Sequence, residues 1–152
     1  MPLNYKDPSI PCGFFDIALH IMTNQTVTYT INLSLTNPMQ DHKRNYRYEK
    51  NDKIQLIKLF SRSHDFSAPD FGDLSIATDT EDVSYQEYCT SAAGSIIWRF
   101  FGRTSPKRPN LRTVLTTRPQ QKGNGGDVCS LAAHFALKPG EKKSIRFVIA
   151  WS

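Results

Sequence analysis

The clearest pattern in the chain is TVTYTINLSL, residues 26–35. Val27, Tyr29, Ile31, Leu33 and Leu35 alternate with Thr26, Thr28, Thr30, Asn32 and Ser34. A period of two sends successive side chains to opposite faces, so this is a strand with one dry face and one wet face. Upstream, CGFFDIALHIM (12–22) places Phe15, Ile17, Leu19 and Ile21 on one face of a second strand. The stretch Met22-Thr23-Asn24-Gln25 predicts a hairpin joining the two. Asn37-Pro38 ends the later strand, because proline has no N–H for the ladder and restricts the residue before it.

Further along, DHKRNYRYEKNDK (41–53) shows no apolar period and reads as a charged loop. IQLIKLF (54–60) resumes a strand. GDLSIAT (72–78) and VSYQEYC (83–89) read as two more, separated by the acidic turn DTED. SIIWRFFG (95–102) fits one helical turn and a strand equally well, and residues 104–127, rich in Pro, Gly and Arg, read as loop. VCSLAAHFALK (128–138) and SIRFVIAW (144–151) flank LKPGEK. Proline presets φ at the first central position of a type II turn and glycine accepts positive φ at the second, so Pro139-Gly140 predicts a hairpin there too. Short strands separated by turn signals give an all-β class, an antiparallel β-sandwich in a single domain over residues 1–152.

The last strand changes that picture. Phe147, Val148, Ile149, Ala150 and Trp151 are five apolar residues in a row, so this strand is expected in the middle of a sheet or at an interface, within an incomplete sandwich. A hydrophobic fraction of 39% points the same way, toward a core shared with a partner. The net charge of +5 is compatible with anionic partners. Cys12, Cys89 and Cys129 are widely spaced, with no CxxC pair, and no apolar leader precedes them; reduced thiols in a cytoplasmic protein are expected. No stretch approaches the roughly 20 apolar residues of a membrane span.

Candidate chemistry is sparse. Hydrolysis of a glycoside needs two carboxylates facing one bond. Asp65, Asp70 and Asp73, and then Glu81 and Asp82, sit in turn-like segments where such residues bond their own backbone, and the structural role is the expected one. His20, His42, His64 and His134 are scattered, and Cys129 with His134 makes half a metal site. KGNGGDV (122–128) leads into a strand rather than a helix, unlike a phosphate loop. KRNYRYEK (43–50) interleaves Tyr46 and Tyr48 with Lys43, Arg44 and Arg47, and Lys107, Arg108, Arg112, Arg118 and Lys122 add charge later. Such residues can stack bases or sugars, with Tyr46, Tyr48 and Trp98 as the first candidates for a free-standing glycan- or glycolipid-binding module. No recognised nucleic-acid module accompanies the charge, so nucleic acid is not an expected partner. Catalytic, cofactor and metal residues are assigned to none of these positions.

The closing segment LAAHFALKPGEKKSIRFVIAW resembles the end of the N-terminal β-sandwich of glycoside hydrolase family 116, the bile-acid β-glucosidase or non-lysosomal glucosylceramidase family. Leu137, Pro139, Gly140, Glu141, Phe147, Val148, Ala150 and Trp151 carry the likeness. FGDLSIAT with Val83-Ser84-Tyr85, Trp98 with Phe101, and SIPCGFFDIAL are similar to earlier family segments, in the same order. Gly102-Arg103 replaces the family's usual Asp-Gly, and Cys12-Gly13 its small apolar pair. The resemblance implies the C-terminal portion of a larger N-terminal sandwich, without catalytic residues or cofactors. Its partner would be a helical catalytic barrel of the same parent chain, which carries both catalytic carboxylates. The implied setting is cytoplasmic and peripheral to membranes, with a glycolipid or membrane surface as a further partner. Asp70, Asp73 and Glu141 are given no catalytic role.

Overall fold

The computed structural model describes residues 10–38, 44–61, 72–90, 99–102 and 127–152. Among them are nine strands and no helix: β1 (Cys12–His20), β2 (Val27–Thr36), β3 (Arg44–Lys50), β4 (Gln55–Ser61), β5 (Asp73–Thr78), β6 (Val83–Thr90), β7 (Arg99–Gly102), β8 (Asp127–Leu137) and β9 (Lys142–Trp151). They form two antiparallel sheets, a five-stranded one ordered β1-β9-β5-β4-β3 and a four-stranded one ordered β6-β8-β2-β7. The all-β sandwich expected from the alternation is therefore the observed fold.

The core lies between the inner faces. Ile31 and Leu33 from β2 and Cys129, Leu131, Ala133 and Leu137 from β8 are almost wholly buried. They meet Ile57 and Leu59 from β4, Ile76 from β5, and Ile145 and Phe147 from β9. Each set comes from alternate positions of its strand, as a period of two requires. β9 lies between β1 and β5, an interior strand; Phe147 and Ile149 of its apolar run face the core, while Val148 and Ala150 lie half-buried on the outer face. Phe147 is fully buried, but Trp151 at its end is 51% exposed and contributes much less than full burial would give.

Two expected hairpins are not hairpins. β1 pairs with β9 in one sheet, and β2 pairs with β8 in the other, so residues 21–26 carry the chain from sheet to sheet as an arch. The Pro139-Gly140 turn forms as expected, with Gly140 at φ +74° and Glu141 N donating to Lys138 O at 3.0 Å. It too joins strands of different sheets. The two arches stack: Ile21 N donates to Glu141 O (3.0 Å) and Gly140 N to Ile21 O (3.1 Å). Ile21, 2% exposed, plugs that end of the core. The DTED segment between β5 and β6 is a third arch.

A further correction concerns the charged loop of residues 41–53. Residues 44–50 are β3, paired with β4 in register Tyr46↔Leu59 and Tyr48↔Ile57. The tyrosines supply the inner face and Arg47 and Glu49 the outer one, a period of two that is hidden when tyrosine is counted as polar. The 95–102 segment contributes β7, which settles its last four residues as strand. The loop expected over 104–127 lies outside the described residues, save Asp127, the first residue of β8.

Candidate functional site

Of the carboxylates singled out in the sequence, Asp73 and Glu141 make structural contacts. Asp65 and Asp70 lie outside the described residues. Asp73, on β5, forms an ion pair with Lys58 of β4 at 2.5 Å. Glu81 and Asp82 are exposed in the β5–β6 arch, where the Asp82 carbonyl accepts from His134 N at 2.8 Å. Glu141 Oε2 accepts from Lys138 N at 2.8 Å and so braces the Pro-Gly turn. Asp16 takes both Nε and Nη2 of Arg146, at 2.6 and 2.8 Å. That bidentate bond lowers the Asp16 carboxyl below its ordinary range and raises the Arg146 guanidinium.

Metal chemistry fares no better. Among the described residues no group of three or more His, Cys, Asp or Glu could hold an ion. Cys129 and His134 are five residues apart on one strand and so point to opposite faces, which dissolves the half-site the sequence offered. His42 and His64 lie outside the described residues, and His20 ends β1 exposed.

His134 has another role. Its Nδ1 lies 2.8 Å from Thr30 Oγ1 and its Nε2 lies 2.7 Å from Ser84 Oγ, all three residues being buried. Beside them Ser34 and Ser130 share a 2.7 Å hydroxyl bond across β2 and β8. A hydroxyl donates or accepts, so a neutral imidazole bonds on both nitrogens. A serine–histidine pair needs a third group to orient the base and an opening for substrate. Here the third group is a threonine hydroxyl and the imidazole is only 5% exposed, so the arrangement braces the sheet. Sequence reading missed it because Ser84 and Thr30 stand 50 and 104 residues from His134. Its only trace there is the polar face of the alternating β2 strand.

The aromatic candidates turn inward. Tyr46 is buried, and Tyr48 stacks on Tyr85 of β6 with ring centroids 3.6 Å apart. Glu87 of β6 accepts from Tyr48 N at 2.7 Å, tying β3 to the other sheet. Tyr85 thus covers one face of the Tyr48 ring, and Trp98 lies outside the described residues. A shallow concavity of about 250 Å³ sits where the β3–β4 loop meets the β5–β6 arch. Its lining mixes Lys50 and Lys53 with Asp52, Asp79 and Glu81 and includes no aromatic ring.

What distinguishes this sandwich is the inversion of its two outer faces. The outer face of the four-stranded sheet is polar, yet Thr30, Ser34, Ser84, Ser130 and His134 on it are buried. On the five-stranded sheet, register places Phe14, Val148, Ala77 and Leu56 in one outer row and Cys12, Ala150 and Ser75 in the next. Phe14 there is 60% exposed, and the others are only half-buried. Three ion pairs, Asp16–Arg146, Lys58–Asp73 and Arg47–Glu49, complete that face.

The two described free cysteines make a test of this layout. Cys129 lies in the core, where burial pushes its thiol up to about 12, whereas Cys12 is half-buried at the sheet edge. Iodoacetamide at pH 8, followed by peptide mass mapping, should label Cys12 at least about 100-fold faster than Cys129. Equal rates would contradict the placement of Cys129. An unfolded thiol ionises near 9.0, before the folded one, so the unfolded state binds fewer protons above that pH and stability falls as pH rises from about 9 toward 12.

The family model described as beta-glucosidase 2, glycosyl-hydrolase family 116 N-term, matches residues 1–152. No curated protein matches the chain.

Proposed function

The chain belongs to the N-terminal domain family of glycosyl hydrolase family 116, and from that premise we propose that it is the non-catalytic β-sandwich portion of a β-glucosidase or glucosylceramidase. In this reading it packs against and supports a helical catalytic domain of the same polypeptide. That domain supplies the two carboxylates of a retaining hydrolysis, one as nucleophile and one as acid and then base. The family match over residues 1–152 carries the proposal. It is supported by the engagement of Asp16, Asp73 and Glu141 in ion pairs and a turn. The reading extends to a cytoplasmic setting at a glycolipid-bearing membrane surface, supported by the exposed Lys138, Lys142 and Lys143 near the stacked arches. Among the described residues no helix is long and apolar enough to cross a membrane.

The experiment is an intact mass of the native polypeptide carrying this segment, together with a β-glucoside assay on it and on the 152-residue chain. A native mass several times 17.3 kDa, with turnover only in the larger polypeptide, is the expected result. Turnover by the 152-residue chain, or a native mass near 17.3 kDa, would overturn the proposal.

A further inference from the structure

Resting on the membrane setting of that reading, we propose that the notch where β1 ends and β9 begins binds the terminal phosphate of an anionic lipid headgroup. A concavity of about 390 Å³ there is lined by Ala18, Leu19, His20, Lys142, Lys143 and Ser144. The register sets Ala18 opposite Ser144 and His20 opposite Lys142, so these four side chains leave the sheet on one face. Their positions outline a patch of about 5 by 7 Å, on the scale of a single phosphate group. Ala18 and Ser144 are short and form its floor, and the longer His20 and Lys142 wall it. The ladder between β5 and β9 stops at Phe147, so the start of β9 has only β1 beside it in the sheet.

The donors in this notch lack the partners that their neighbours have. On the same face Arg146, Lys58 and Arg47 each hold a carboxylate, from Asp16, Asp73 and Glu49. Arg47 and Lys58 stand opposite each other across β3 and β4, and those carboxylates offset the repulsion. The basic pair His20 and Lys142 has no such relief. Among the described residues neither side chain, nor the Ser144 hydroxyl, has a hydrogen-bond or ion-pair partner. Asp16 is held by two Arg146 nitrogens, and Glu141 is turned back to Lys138 N. An imidazole N–H, an ammonium and a hydroxyl are all donors, and a terminal phosphate offers three strong acceptor oxygens. The Lys143 ammonium lies over the Phe135 ring, 5.1 Å from its centroid, and adds positive charge beside the notch.

Met22 points to a lipid as the carrier of that phosphate. It follows His20 by two residues and is 89% exposed in its arch, stacked on the arch that bears Lys138. A headgroup held in the notch would bring this apolar side chain to the boundary of the acyl layer. A nucleic acid fits less well, because it needs a track of cations along its backbone. On the neighbouring β3–β4 loop and β5–β6 arch, Asp52, Asp79 and Glu81 interrupt any such track.

The test floats the native polypeptide carrying this segment with phosphatidylcholine vesicles doped with phosphatidic acid, which bears a terminal phosphate. Vesicles doped with phosphatidylserine to the same surface charge are the comparison. Binding should favour phosphatidic acid. Lys142→Ala should weaken it about fivefold and Lys142→Glu more than tenfold, with the thermal midpoint unchanged because the side chain is exposed. Lys53→Glu makes the same change of charge among Asp52, Asp79 and Glu81 and should leave binding within about twofold. Met22→Ser should weaken vesicle binding as well. Equal binding to the two anionic vesicles, or binding indifferent to Lys142→Glu, would overturn the site and leave the membrane setting standing. Displacement by inorganic phosphate with no effect of Met22→Ser would assign the notch to a soluble phosphate and overturn the lipid headgroup. Binding to no vesicle would overturn both the site and the membrane setting, while the mass and turnover measurements decide the module reading separately.

Discussion

Phe147→Ala is expected to cost about 3–5 kcal/mol of folding stability and to lower the thermal midpoint by on the order of 10 °C. The ring is fully buried on the inner face of an interior strand. On its own sheet it faces Phe15 of β1 and Thr78 of β5 in register, so neighbours on both sides frame the cavity its removal leaves. The strands are held by backbone ladders and cannot close in freely, which is why the larger figure for aromatic truncation applies. Trp151→Ala is the control. Trp151 has the same strand parity but is 51% exposed, so its truncation should cost less than half as much. Urea unfolding of the two variants measures the difference. A loss of less than about 1 kcal/mol at Phe147 would place its ring outside the core.

The second large effect is expected at His134. Replacing it with alanine removes two hydrogen bonds at once and leaves the hydroxyls of Thr30 and Ser84 buried. Unsatisfied buried groups cost about 1–3 kcal/mol each, so a total near 2–4 kcal/mol is expected where the two hydroxyls partly re-pair. Ser84→Ala alone should cost about 1 kcal/mol. The discriminating measurement is the double-mutant cycle. If Ser84 and His134 form one network, the double variant should be less destabilised than the sum of the singles, by about 0.5–3 kcal/mol. Additive losses would show that the two side chains act independently.

Most strands were legible because each buries one face, and the period of two survives in the residue types. β2 is the plain case, and β4, β5, β6, β8 and β9 follow it. β3 was not legible, because Tyr46 and Tyr48 are apolar in body and polar at the tip, and they stand among Arg47, Glu49 and Lys50. Which strands pair was less legible still. Pro139-Gly140 specifies a reversal of the chain, and that reversal is present. The same local turn chemistry serves a hairpin within one sheet or an arch between two. The choice is made by distant strands: β9 is claimed by β1 and β5, and β8 by β2 and β6. The candidate chemistry divides in the same way. Glu141, Glu81 and Asp82 belong to turns, as their neighbours in sequence indicate. The His134 network and the Asp16–Arg146 pair join residues that only the folded sheets bring together, the latter across 130 positions.

That last separation bears on how the protein is made. β1 sits at the sheet edge, and its partner in the ladder is the last strand of the chain. A ribosome adding roughly 5–20 residues per second takes about 6–26 s to add the intervening residues. Throughout that interval Phe14, Phe15 and Ile17 emerge without the strand that pairs with them. Among the described strands only the β3–β4 and β4–β5 pairings join neighbours in the chain, so they are the ones able to form early. Nascent chains of this protein should therefore expose a sticky β1 until β9 has been made, which makes them natural clients of ribosome-associated chaperones.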